Sequence, residues 1–143
     1  MILDDEDLLA RFEGLKLDLN SWNQRMHVAL AFLYLNRLGF EEALVELRTR
    51  IKAFNAHNQI EESPTSGYNE TTTVAMLRLV HSTMRAYEEV FPVSSAEEFC
   101  DTHPQLMSKH IMRLFYSPER RMLPEAKTTF VEPDLAPLPE VVQ

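Results

Sequence analysis

The chain has 143 residues, 45% apolar and 25% charged, with 22 acidic and 14 basic side chains giving a formal net charge of −8. That length fits one domain, and the composition excludes a disordered chain, a collagen-like repeat and a disulfide scaffold. The acidic balance disfavours nucleic acid and anionic membrane surfaces as partners, and the longest apolar run, residues 28–35, is far short of the roughly 20 residues that a spanning helix needs. The opening MILDDEDLL is too acidic for a signal peptide, and the single cysteine, Cys100, cannot bridge internally. A small cytoplasmic domain is the expectation.

Gly14, Gly39 and Gly67 are the only glycines, and five of the eight prolines follow residue 117. Helical spacing of apolar residues dominates the chain, and no alternating run predicts a strand. A first helix is expected over about residues 4 to 15, with Asp4, Asp5, Glu6 and Asp7 at its positive end and Leu8, Leu9, Phe12 and Leu15 as its stripe. In a second helix, Ser21 and Gln24 have capping-box spacing, residues 26–35 are apolar almost all round, and Gly39 suits a left-handed C-terminal cap. A helix with so little polar face belongs at the centre. The third, over about 41 to 56, buries Leu44, Leu47, Ile51 and Phe54. A loop follows over 58–67.

The fourth helix, over about 69 to 90, carries Val74, Leu77, Val80 and Met84, widened by Met76, Leu79 and Tyr87, and Pro92 terminates it. Ser94 or Ser95 caps a short fifth helix with Phe99 and Cys100. Pro104 opens a sixth bearing Leu106, Met107, Ile111, Leu114 and Phe115, and Ser117-Pro118 starts one more turn. The expected fold is therefore all-α. Residues 1–128 would form a bundle of about five or six helices with the second and fourth central. Residues 129–143 would be an extended proline-rich tail, packed on the domain or on a partner through Phe130, Val131, Leu135 and Leu138, with its last residues frayed.

No phosphate loop, dinucleotide fingerprint, HExxH, CxxC or nucleophile elbow is present. Cys100 reads as a small core residue, and Met26, Met76 and Met84 as core filling. His57, His103 and His110 fall near helix ends and are expected at the surface. The polar residues that stand out lie on the two most apolar helices. Gln24 and His27 share a face of the second. Tyr68, Asn69, Glu70, Thr71, Thr72 and Thr73 crowd the start of the fourth, where Asn69 and Thr73 share a face; Arg78 and His81 lie further along. Each has a structural explanation: Asn69 or Thr71 as a cap, the threonines bonding back to the preceding turn, His27 held by a backbone carbonyl, Arg78 in a surface ion pair. Together they predict a polar pocket between two central helices, lined by Gln24, His27, Tyr68, Asn69 and Thr73, with Glu70 and Arg78 as further ligand-binding candidates. His27 is the best acid or base among them, because an unperturbed imidazole titrates near neutrality.

Three segments, WNQRMHVALAFLYL, GYNETTTVAMLRLV and SPERRMLPEAKTTFVEPDLAPLP, give the chain a resemblance over most of residues 8–139. Together they resemble a family of small, uncharacterised helical proteins, mostly bacterial. That family's pattern is aromatic-x-His-x-x-His-Leu, then Tyr-His-Glu-Thr, then Pro-Asp-Leu-x-Pro-Leu-Pro. Here Trp22 takes the aromatic place and His27 the second histidine, while Gln24 and Asn69 stand where the other two histidines are expected. Three imidazoles on two helices would suit zinc, iron or copper; glutamine and asparagine do not. The resemblance thus implies a helical fold and, for this chain, a hydrogen-bonding pocket with neither metal nor cofactor. Three functional expectations result: a small-molecule pocket, a homodimeric interaction protein whose polar cluster is purely structural, and, ranked last because two of the three imidazoles are absent, a degenerate metalloprotein.

Overall fold

The computed structural model describes residues 4–141, and among them the fold is all-α, with seven helices and no strand. The expected fraying of the last residues lies partly outside the described residues. Helix α1 (Asp5–Glu13) is capped by the Asp4 carboxylate, which accepts from the Asp7 amide at 2.8 Å, and buries Leu8, Leu9 and Phe12. A single 3₁₀ turn, Leu19–Ser21, leads to α2 (Gln24–Arg37). Seven successive residues of α2, 28–34, are buried, which accounts for its near-continuous apolar sequence.

The caps at both ends of α2 differ from the sequence expectation. Asn23, not Ser21, is the N-cap: its side-chain oxygen accepts from the Met26 amide at 2.9 Å, and Ser21 stays in the 3₁₀ turn. Gly39 is not a left-handed C-terminal cap either. Its φ is −68°, and it opens α3 (Phe40–His57), leaving Leu38 to end α2 in extended backbone. Two residues separate the helices, too few for a left-handed cap and a new N-cap in succession.

Helix α3 closes in a Schellman turn. Gln59 adopts φ 57°, its amide bonds the Ala56 carbonyl at 3.2 Å, and the Ile60 amide bonds the Asn55 carbonyl at 2.9 Å. Helix α4 (Glu70–Tyr87) is capped by Asn69, whose side chain accepts from the Thr72 amide at 2.9 Å. It ends three residues short of the expected 90, and Tyr87 is exposed rather than part of the buried stripe. Helix α5 (Ala96–Thr102) is capped by Ser95 and buries Phe99 and Cys100. The expected sixth helix from Pro104 is instead two 3₁₀ turns, Pro104–Leu106 and Ile111–Leu114, and Leu114 points outward. Short helices α6 (Pro118–Arg121), capped by Ser117, and α7 (Pro124–Thr128) complete the set.

Helix α2 packs against α1, α3, α4 and α5, and α4 against α2, α3 and α7. The segment after Thr128 runs extended across this core. Thr71 Oγ donates to the Thr129 carbonyl at 3.0 Å and accepts from the Val131 amide at 3.2 Å; Tyr116 donates to the Val131 carbonyl at 2.7 Å. Val131 and Leu138 are buried, Phe130 lies under the Arg78 guanidinium, and Leu135 is exposed. Among the described residues no helix is long and apolar enough to cross a membrane.

Candidate functional site

A cavity of about 310 Å³ opens where α2, α3 and α4 meet, at the small end of the usual ligand-site range. Each helix contributes a row at four-residue spacing. His27 and Ala31 come from α2, Leu47, Ile51 and Asn55 from α3, and Asn69, Thr73 and Leu77 from α4 and its cap. The loop after α3 adds Ile60, Gly67 and Tyr68, and Trp22 closes the side nearest α1. Among the described residues no charged side chain lines the cavity.

His27 is half-buried beside Trp22, with ring centroids 4.3 Å apart, and makes no side-chain hydrogen bond to another described residue. Its ring nitrogens are not sealed in the core, and the residue lines the cavity. Burial pushes its pKa down from 6.5 to about 4, so the ring is neutral at neutral pH. Trp22 is itself clamped by aromatic neighbours: Phe54 stacks on it at 4.3 Å and Phe12 at 5.8 Å.

Asn55 has no counterpart in the sequence expectations. It is 6% exposed, lines the cavity, and its carboxamide makes no hydrogen bond to any described residue. Its backbone carbonyl accepts the Ile60 amide in the Schellman turn, which holds Ile60 beside it on the same wall. Asn55 also borders a second, more polar hollow next to Lys52, Glu62 and Lys127. The sequence signal was available: an asparagine four residues after Ile51 and eight after Leu47 interrupts an apolar row.

The residues singled out from the sequence separate into two groups. His27, Tyr68, Asn69 and Thr73 come together at the cavity. Asn69 spends its side-chain oxygen on the Thr72 amide and leaves its amide nitrogen without a protein acceptor; Thr73 donates to the Asn69 carbonyl at 3.0 Å. Tyr68 lines it too, and its hydroxyl donates to Glu70 at 2.7 Å and lies beside the Thr73 side chain. Gln24, Glu70 and Arg78 do not line the cavity. Gln24 donates to the Leu106 carbonyl at 2.9 Å, tying α2 to the first 3₁₀ turn after α5. Glu70 is gripped by Arg48 at 3.0 and 2.7 Å, and that ion pair, with the Tyr68 hydroxyl, holds its carboxyl below the usual range. Arg78 stacks on Phe130 of the C-terminal segment, 4.9 Å from the ring centroid, and its buried Nε has no hydrogen-bond partner among the described residues.

Elsewhere, Cys100 is buried and its thiol pushed up to about 11 by desolvation, the state of an inert core cysteine. His103 is buried between Phe99 and Tyr87, not at the surface as expected, because its chain segment tucks under the end of α4. Among the described residues no three His, Cys, Asp or Glu side chains converge as a metal-binding group.

The loop wall of the cavity is latched from the C-terminal side. Lys127 of α7 donates to the Glu62 carboxylate at 2.7 Å and to the carbonyls of Ser66 and Tyr68 at 2.9 and 2.7 Å. Gly67 sits between them at φ 92°, where a side chain would strain the backbone and its Cβ would run into Glu62. Comparison of the chain with protein-family models, with curated proteins and with solved structures returns no match.

Proposed function

We propose that the chain is a small-molecule-binding protein whose site is the cavity between α2, α3 and α4. The observation that carries this reading is His27: a half-buried imidazole without a protein hydrogen-bond partner, facing an otherwise mostly apolar cavity. Its nitrogens are open to the cavity and not taken up by the protein, so a ligand can hydrogen-bond them without displacing a protein partner. Within this reading the ligand is held by hydrogen bonds and apolar contact rather than by a metal, since the lining offers one imidazole and no carboxylate or thiolate. A ring neutral down to about pH 4 acts as a hydrogen-bonding group and a weak base, not as a general acid at neutral pH.

The test is a thermal-shift screen of uncharged and charged metabolites against wild type, Ala31→Leu and His27→Leu. Ala31→Leu fills the cavity; His27→Leu removes the unpaired group. A true ligand stabilises wild type by about 2.7 kcal/mol at a hundredfold excess over Kd and stabilises the variants less. Shifts equal in all three proteins, or none in any, contradict the proposal.

A second reading, self-association, draws on one surface feature. Tyr87 and Phe91 stack at 5.8 Å, and with Val90 they form an exposed apolar group after α4. Mass by light scattering distinguishes a dimer from a monomer, and Phe91→Glu would dissociate a dimer built on this group.

A further inference from the structure

We infer that the cavity selects an uncharged ligand with a cis-amide edge, a lactam or a primary carboxamide, read by the Asn55 side chain. The inference rests on the cavity being a binding site and adds what that site takes. Three observations support it.

The first is the position of Asn55. It is more than nine-tenths buried, and it continues the row of Leu47 and Ile51, both of which line the cavity. Its carboxamide has no hydrogen-bond partner among the described residues, and its polar atoms are not sealed in the core, so they are open to a ligand at this wall. A carboxamide presents one N–H donor beside one carbonyl acceptor, and the edge that satisfies both at once is another cis-amide, or a ring in which acceptor and N–H are adjacent. Asparagine reads the donor–acceptor edge of adenine in the same two-point way.

The second is the absence of charge. Nearby ionised groups are already engaged: Glu70 by Arg48, Glu62 by Lys127, and Lys52 over the Tyr68 ring at 5.0 Å. In the cavity between α2, α3 and α4, as distinct from the second hollow bordered by Asn55 that holds Lys52, Glu62 and Lys127, a charged ligand would leave water with no counter-charge in the lining, at a cost that two neutral hydrogen bonds do not offset.

The third is the remaining polar lining. His27, neutral by burial, offers one donor and one acceptor; Asn69 has a free amide N–H; Thr72 adds a hydroxyl. All are neutral, so they supplement the Asn55 contact without favouring an ion.

The test uses four bicyclic probes of similar size at neutral pH: 2-quinolone, N-methyl-2-quinolone, 2-naphthoate and 2-naphthamidinium. Affinities are measured by titration calorimetry on wild type, Asn55→Leu and Asn55→Ala; the alanine variant covers the case in which leucine does not fold. The expected result is 2-quinolone binding at least about tenfold tighter than the other three, because a site built to hydrogen-bond an N–H rejects the analogue lacking it. Both Asn55 variants then lose about tenfold or more on 2-quinolone and little on its N-methyl analogue. Tightest binding of either ion, equal binding of the two quinolones, or no binding of any probe overturns the inference. The metabolite screen on Ala31→Leu judges the cavity separately, so a ligand of another class found there would leave the cavity reading standing while this one fails.

Discussion

Arg48 holds both carboxylate oxygens of Glu70, through Nε at 3.0 Å and Nη2 at 2.7 Å, and so neutralises the acidic residue at the start of α4, next to Asn69 of the cavity lining. The pair is largely shielded, with side-chain exposures of 34% for Arg48 and 12% for Glu70. Arg48→Ala would leave the carboxylate in place with only the Tyr68 hydroxyl to answer it. A loss of about 1–3 kcal/mol in urea unfolding is expected, below the cost of breaking a fully buried pair. Arg48→Lys should recover only part, since an ammonium cannot reproduce the two-point grip.

Gln59 closes α3 in left-handed backbone at φ 57°, a region where glycine has no Cβ penalty. Gln59→Gly should therefore stabilise the protein by about 0.5–1 kcal/mol, even though it removes a side chain. Asn58→Gly should do the reverse. Its φ is −91°, and its side chain donates to the Phe54 carbonyl at 2.9 Å. Thermal midpoints of the two variants, measured side by side, check the opposite signs.

Acid should weaken the fold before the carboxylates titrate. His27 is neutral in the folded protein down to about pH 4, whereas in the unfolded chain it takes up a proton near 6.5. Between those values the unfolded state binds more protons, so stability falls as pH falls through that window and is fully present above it. At about 1.4 kcal/mol per pH unit, and discounted for partial exposure, the loss from His27 is roughly 2–3 kcal/mol. Buried His103, also shifted down by desolvation, adds in the same direction. Urea midpoints of wild type and His27→Leu, compared from about pH 7 down to about pH 4.5, should show a shallower decline in the variant. Parallel declines would place His27 in bulk water.

Thr71 ties the C-terminal segment to α4 with one hydroxyl that donates to Thr129 and accepts from Val131. Thr71→Val keeps the shape, loses both bonds and leaves the buried Val131 N–H unpaired, for about 1–3 kcal/mol. Amide exchange at Val131 should accelerate more than exchange in α2. Thr71→Ser should restore protection.

The three long helices, α2 to α4, were legible because their apolar residues recur at three- and four-residue spacing and nothing else explains residues 28–34. Asn69 and Ser95 were each legible as one of two candidate capping side chains for the same local reason. Choices between local alternatives were not. Ser21 and Asn23 both suit an N-cap, and the 3₁₀ turn that withdraws Ser21 depends on how Asp18 receives the Asn20 amide. The stretch 104–114 carries helical spacing, yet it breaks into two 3₁₀ turns with Leu114 facing outward. At the site, His27, Asn69 and Thr73 were visible as polar residues on apolar helices. Glu70 and Arg78 have similar polarity but find partners, Arg48 and Phe130, on elements distant in sequence, which no local pattern encodes. Asn55 left a trace, as a break in the Leu47 and Ile51 row, but a single amide at the end of an amphipathic helix does not by itself distinguish a cavity wall from an exposed last turn.

The measurement that tests the account most directly is a side-chain nitrogen NMR titration, following the His27 imidazole and the Asn55 carboxamide as the best compound from the metabolite screen is added. The account predicts that both signals move together and saturate with the thermal shift, and that the free His27 ring stays neutral well below pH 6.5. Binding that leaves both signals unmoved, or a His27 ring that titrates as in water, would contradict it.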